Sequence, residues 1–213
     1  MPGTTTLIES ARVALSAEIV HQLHAQPTFG QVKHQKIFHL AEHIAQLESL
    51  QVRYRRAGFG PLNMGVIKAS ERALERLGWF AERPRLASDG HCYAQLSNAG
   101  RHTEYLKCFT DDQLKSIRGL VALMRDWKTD ECEMFSTAYA AWNDLIIMRR
   151  AATPDAILHE VLELWDTKKK RFSRQQWLDT IDKIGRQGFA PTGFGQLTRS
   201  PNDGVTPDFF DDK

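Results

Sequence analysis

The chain has few cysteines, and the three that it has are far apart. Cys92, Cys108 and Cys132 form no CxxC pair. An odd and sparse set of cysteines does not fit a disulfide-stabilised domain and is typical of proteins from a reducing compartment. We therefore expect no disulfide framework and a cytoplasmic location.

Long apolar runs and a strong excess of charge of either sign are also missing. No stretch approaches the roughly 20 apolar residues that a membrane-spanning helix requires. The residues after Met1 lack the basic and apolar regions of a signal peptide. The formal net charge of the 213 residues is +2, so any surface for nucleic acid has to be local. These features favour a globular cytoplasmic protein with no membrane partner.

Glycine-rich phosphate loops are absent from the sequence as well. Gly58, Gly60 and Gly78 do not form a GxGxxG pattern after a strand, and there is no Walker loop. No recognisable route to nucleotide binding exists in this sequence. We therefore expect no cofactor.

The clearest local pattern that is present lies within residues 152–195. Thr153 and Pro154 predict the start of a helix, because a capping side chain is followed by proline at the first helical position. Ser173 and Gln176 predict a capping box that opens a second helix, which a glycine and a proline then end. Two short helices joined by a turn are a helix-turn-helix candidate.

The turn between these helices and the first turn of the second helix are rich in cations. Cations at a helix start are unfavourable for the helix dipole, so their presence favours a functional reason. Such a cluster suits the phosphate backbone of duplex DNA or an acidic partner protein. The predicted DNA- or partner-binding residues, called the basic link below, are Lys168, Lys169, Lys170, Arg171 and Arg174.

The first half of the chain predicts helices followed by a hairpin. This order is that of a winged helix. An Asp89-Gly90 turn marks the hairpin, and the glycines and proline of AGFGP mark a loop. The predicted segments are helices over 7–25, 28–48 (opened by a Thr28/Gln31 capping box) and 63–78, a loop over 54–61 and a hairpin over 86–96.

The second half is predicted to be organised by one buried helix. Thr110 and Gln113 predict a capping box just after a boundary near residue 106. The next helix, over 129–148, is apolar over most of its circumference and includes Trp142. We therefore expect this helix to be buried. The predicted fold class is mainly α, with two helix-turn-helix or winged-helix-like halves and a small β-hairpin. The predicted domains are 1–106 and 107–197, followed by a loosely ordered tail over 198–213.

One short motif allows an enzymatic alternative. His39, Glu42 and His43 match HxxEH, and histidines at i and i+4 share a helix face, as the ligands of a zinc-dependent hydrolase would. No downstream third ligand stands out, and the same helix needs its apolar residues for packing. We therefore expect no catalytic residue and no metal, with the zinc-dependent hydrolase as an alternative.

Asn143 and Asp144 form a polar pair inside the otherwise apolar helix over 129–148. Buried polar groups are almost always hydrogen-bonded. No histidine or serine at a suggestive spacing supports catalysis by Asp144. We therefore expect a structural polar pair that holds a neighbouring loop or helix end.

Five segments of the sequence carry a resemblance to known proteins: VKHQKIFHLAEHI, YRRAGFGPLN, ECEMFSTAYAAWNDLII, ATPDAILHEVLELW and WLDTIDKIGRQGFAPTGFG. Together they resemble a C-terminal module of bacterial restriction-modification proteins, notably type I specificity subunits and N6-adenine methyltransferases. The first half also resembles the Panacea (SocA-like) antitoxin domain, in which a helix of the K-x-x-K-x-x-x-L-A type precedes a GP loop. The residues that match this pattern are Lys33, Lys36, Leu40, Ala41, Gly60 and Pro61.

These resemblances imply what the chain does. Because it contains no NPPY methyltransferase motif, the first resemblance implies an accessory, non-enzymatic DNA- or protein-binding module of a restriction-modification or phage-defence system, on its own or cut from a longer protein. The implied partners are duplex DNA and a methyltransferase or restriction subunit. The second resemblance implies an antitoxin-like module that masks a toxin.

Overall fold

The computed structural model describes residues 4–50, 52–85 and 90–199. The described chain is mainly helical with two small antiparallel hairpins, which confirms the predicted fold class at this coarse level. Within these residues no helix is long and apolar enough to cross a bilayer. The helices are α1 (Thr4–Leu23), α2 (Gln31–Ile44), α3 (Met64–Arg76), α4 (Asp111–Met124), α5 (Thr129–Ile147), α6 (Pro154–Leu162) and α7 (Arg174–Arg186), and 3₁₀ helices cover Arg101–Cys108 and Thr167–Arg171. The strands are β1 (Arg55–Ala57), β2 (Gly60–Leu62), β3 (Phe80–Pro84) and β4 (His91–Gln95).

Helix starts in the second half follow the predicted capping residues. The hydroxyl of Thr110 accepts the amide of Gln113, and the side chain of Gln113 accepts the amide of Thr110. Ser173 and Gln176 form the same reciprocal pair at the start of α7. The hydroxyl of Thr153 caps α6. These local patterns satisfy backbone donors that a helix start leaves without partners.

The capping box predicted at Thr28 and Gln31 does not form. Gly30 precedes α2, and the Thr28 hydroxyl accepts a hydrogen bond from the Lys33 ammonium group instead. A Cβ at Gly30 would lie 2.6 Å from the carbonyl oxygen of His91. The prediction is wrong because β4, which is distant in sequence, passes close to the start of this helix.

The hairpin that the sequence predicts over 86–96 begins earlier than expected. Strands β3 and β4 pair with Phe80 opposite Gln95, so the first strand directly follows the turn after α3. Asp89, on which the turn prediction rests, lies outside the described residues. The second strand falls within the predicted range.

A further hairpin lies inside the segment predicted to be a loop. Strands β1 and β2 pair with Ala57 opposite Gly60, which leaves Gly58 and Phe59 as a two-residue turn. Each strand has only three residues, too few for an alternating pattern to stand out from the glycines and proline around it. The loop prediction over 54–61 is therefore wrong.

Helix α5 lies at the centre of the second half, in contact with α2, α6, α7 and β2, as predicted for 129–148. The buried apolar side chains form one cluster that extends from α1 to α7, across the boundary predicted near residue 106. Trp142 is only half-buried at one edge of α5. The polar side chains that α5 buries are Glu133, Ser136, Thr137, Asn143 and Asp144.

The tryptophans of α5 and α7 provide a test of this packing. Trp177 is fully buried and its indole N–H donates to the carbonyl of Lys169. We expect Trp177→Ala to lower the free energy of unfolding by about 3–5 kcal/mol, as for other large aromatic truncations in cores. Trp142→Ala should lower it by only about 1–2 kcal/mol. Urea unfolding of both variants measures the difference, and a larger loss for Trp142→Ala would contradict the packing described here.

Candidate functional site

Helix α2 carries a row of buried polar side chains toward α5 and the β1–β2 hairpin. Lys36, His39 and Glu42 follow one another at intervals of three residues, His43 lies four residues after His39, and all four are buried. The ammonium group of Lys36 donates to the carbonyl of Pro61 at 2.9 Å. Burial, and then the nearby charge of Lys169, lower the pKa of Lys36 to about 7. Lys36 therefore holds the hairpin and does not face solvent.

Gly60 brings this hairpin close to α5. Its φ is +98°, and a Cβ there would lie 2.8 Å from the hydroxyl oxygen of Thr137 and 3.4 Å from that of Ser136. Both the backbone conformation and the close approach favour glycine. The Gly60-Pro61 pair is thus the point at which the hairpin packs onto the polar side of α5.

The HxxEH motif lies inside this cluster. The Glu42 carboxylate accepts the amide N–H of Val52 at 2.8 Å and the hydroxyl of Tyr54 at 2.6 Å. The Nδ1–H of His43 donates to the carbonyl of His39 at 2.9 Å. Among the described residues, no group of three potential ligands is placed to hold a metal ion. The two Glu42 oxygens hold residues 52–54 in place, so a hydrolase built on this motif would first have to open the packing.

Burial also shifts the protonation of these groups. It raises the pKa of Glu42 to about 7, although the hydrogen bonds from Tyr54 and Val52 act in the opposite direction. It lowers the pKa of His43 to about 4 and that of His39 well below its ordinary value. The two imidazoles are therefore neutral at neutral pH.

Arg56 connects β1 to α5 and α6 in the interior. Its guanidinium group donates to the carboxylates of Asp144 at 3.0 Å and Glu160 at 3.1 Å, and it lies 5.0 Å from the centre of the Trp165 ring. Burial raises the pKa of Asp144 to about 6, while the amide of Thr198 and then Arg56 oppose this shift. This network closes the side of the polar cluster that faces α6.

Asn143 and Asp144 hold residues 189–199, which we call the C-terminal strap. The Asn143 side chain donates to the carbonyl of Phe194 at 2.8 Å and accepts the amide of Gly193 at 2.9 Å. Asp144 accepts the amide of Thr198 at 2.9 Å. Arg199 then pairs with β1. Residues 200–213 of the predicted tail lie outside the described residues.

The basic link is folded onto carboxylates of its own chain. Lys169 is fully buried and forms an ion pair with Glu133 at 2.8 Å. Burial lowers its pKa, and the hydrogen bond that it donates to Glu133 opposes that shift. The other contacts are Lys170 with Glu163, Arg171 with Asp130 and Glu133, Arg174 with Asp155, and Lys168 over the ring of Phe59. Four of the five predicted cations thus already face an acidic side chain.

A different set of cations, which the sequence analysis did not single out, lies on α3. Lys68, Arg72 and Arg76 are exposed, and within the described part of the chain their side chains make no hydrogen bond or ion pair. Cations at four-residue spacing lie on one face of a helix, so this set could have been found in the sequence. The basic link has more cations in a shorter stretch, and the predicted binding site was therefore placed there.

No protein-family model, no curated protein and no solved structure matches the chain.

The pKa of His43 is lowered and that of Glu42 is raised, so the two groups should have opposite effects on how stability depends on pH. Between pH 4.5 and 6.5 the unfolded chain protonates His43 and the folded chain does not, so the contribution of His43 to stability rises with pH. Glu42 keeps its proton in the folded chain up to about pH 7, so its contribution falls with pH. We expect each slope to be about 1.4 kcal/mol per pH unit.

Two variants separate these contributions. Relative to the unsubstituted chain, His43→Gln should make the slope of the free energy of unfolding against pH more negative in this window. Glu42→Gln should make that slope more positive. The measurement is urea unfolding at a series of pH values. Equal slopes in both variants would show that neither group is buried as described.

Proposed function

We propose that the chain is a non-enzymatic, DNA-binding accessory module of a bacterial restriction-modification or phage-defence system. The observation that carries this proposal is the arrangement of α1, α2 and α3 with the hairpin β3–β4. Helix α3 packs on α1 and β3 with one side and exposes the other. An exposed helix of this kind is the element that helix-turn-helix proteins place in the major groove of duplex DNA.

The second pair of helices gives less support to DNA binding. Helices α6 and α7 with the link between them fit the helix-turn-helix interpretation in order and length. The exposed cations of α7, however, include Arg174 and Arg186, which already form ion pairs with Asp155 and Asp182. We therefore assign the DNA-binding role to the first half of the chain.

A partner protein is the second candidate, and one observation favours it. Phe59, at the tip of the β1–β2 hairpin, is 52% exposed and Leu164, after α6, is 46% exposed. Exposed apolar side chains next to a basic segment are typical of protein contact sites. This surface suits a methyltransferase or restriction subunit, or the toxin of the antitoxin-like alternative.

Salt-dependent binding to duplex DNA tests the proposed function. The purified chain should bind a mixed-sequence duplex of about 20 base pairs, two helical turns, at about 50 mM salt. Its affinity should fall steeply toward about 200 mM, because phosphate contacts release counterions. Fluorescence anisotropy measures both. No binding at the lower salt concentration would contradict the proposal and leave the partner-protein function.

A further inference from the structure

We infer that α3, and not the basic link, forms the contact with duplex DNA, through the face that carries Lys68, Arg72 and Arg76. We call Lys68, Arg72 and Arg76, together with the exposed small residues Gly65 and Ala69, the α3 face. This inference rests on the proposed function and assigns it a surface.

The spacing of the three cations fits the dimensions of a DNA groove. At four-residue intervals they follow one another along one side of the helix. Lys68 and Arg76 are eight residues apart, which corresponds to about 12 Å along the helix axis. The major groove of B-DNA is about 12 Å wide. The groove admits an α-helix, so cations spread over this length of α3 can reach phosphates at the edges of the groove.

The acidic residues of α3 are drawn away from this face. Glu71 accepts hydrogen bonds from the hydroxyl of Tyr93 at 2.6 Å and from the side-chain amide of Gln31. Glu75 forms an ion pair with Arg83 of β3 at 2.9 Å. Both carboxylates thus bind neighbouring elements, and neither forms an ion pair with a cation of the α3 face.

Small residues lie between the cations at the start of the helix. Gly65 and Ala69 are exposed, and a Cβ at Gly65 would meet only the side-chain oxygen of Asn63, at 3.5 Å. The helix backbone can therefore approach base edges closely in its first two turns. In DNA-reading helices the N-terminal residues are the ones that contact base edges.

Helix α3 is held in place by contacts on the side opposite the α3 face. Its opposite side buries Ile67, Ser70 and Leu74. Tyr93, which donates to Glu71, also accepts a hydrogen bond at 2.9 Å from the ring of buried His34. Because the phenol donates to the carboxylate, the imidazole is the donor in this pair. The backbone of α3 is thus held in place before DNA arrives, so binding has to order only the side chains of the α3 face.

The basic link differs from the α3 face because most of its cations already have acidic partners. Lys169 is inaccessible, and three of the other cations would have to leave an intramolecular carboxylate before meeting a phosphate. Exposed ion pairs of this kind are weak, yet the carboxylates would stay next to the DNA and repel it. The link therefore suits the cohesion of α5, α6 and α7.

Two variants with the same loss of charge test the inference. One is Lys68→Ala/Arg72→Ala/Arg76→Ala and the other is Lys168→Ala/Lys170→Ala/Arg174→Ala. All six side chains are exposed, so both variants should fold, as thermal melting followed by circular dichroism will show. Arg72→Ala alone provides a milder change to the α3 face.

Binding to the same mixed-sequence duplex is measured as a function of salt. The α3 variant should bind more than about tenfold more weakly at 50 mM salt, with a slope of log affinity against log salt reduced by about 2.7, or about 0.9 for each lost phosphate contact. The link variant should keep both values, and Arg72→Ala should lie between. If the unsubstituted chain does not bind, the proposed function fails. If it binds and the α3 variant binds equally well, or both variants lose equally, the assignment to α3 is overturned.

Discussion

The buried guanidinium group of Arg56 is the interaction on which the described structure depends most. It lies between the carboxylates of Asp144 on α5 and Glu160 on α6, and Glu160 also binds Arg150. Removing charges from water costs several kcal/mol for each ion, and this cost is recovered only where partners are well placed. Removing one partner of such a group typically costs about 3–5 kcal/mol, because the others stay buried without compensation. The position of β1 relative to α5 and α6 is therefore strictly defined.

The need of a buried charge for well-placed partners also accounts for the contacts of other cations of the chain. Lys36 binds the carbonyl of Pro61, and Lys169 binds Glu133. Lys33 donates to the carbonyls of Arg125 and Trp127, just beyond the end of α4, where a positive charge also interacts favourably with the helix dipole. In this chain the two lysines of the K-x-x-K pattern thus act as internal connections between elements. The cations of α3 have no such role, which is why they remain available to an outside ligand.

Features that depend on neighbours in sequence could be predicted, and features that depend on distant residues could not. The capping residues of α4, α6 and α7 lie within three residues of the groups that they bind, and the sequence showed them. The burial of Lys169 depends on Glu133, 36 residues earlier, and nothing in a run of lysines shows which of them is turned inward. Similarly, the apolar pattern of α5 indicated burial, but the polar groups buried with it depend on Arg56 and the C-terminal strap.

The candidate site follows the same rule. A helix face with cations at four-residue spacing is a local pattern, and Lys68, Arg72 and Arg76 could have been found in the sequence. What distinguishes these cations from those of the basic link depends on residues that are distant in sequence. Glu71 is held by Tyr93, and four cations of the basic link face acidic side chains from α5, α6 and nearby segments. The stretch with the most cations in the sequence is therefore not the stretch whose cations lack acidic partners among the described residues.

Mapping of duplex DNA onto the isotope-labelled protein by NMR tests this account most directly, because each backbone amide reports its own surroundings without any substitution. If α3 forms the contact, the largest chemical-shift changes on adding a mixed-sequence duplex should fall on α3, Met64–Arg76, and on the neighbouring strands β3 and β4. The 3₁₀ helix Thr167–Arg171 should change little. The largest changes in that 3₁₀ helix and at the start of α7, with α3 unaffected, would contradict it.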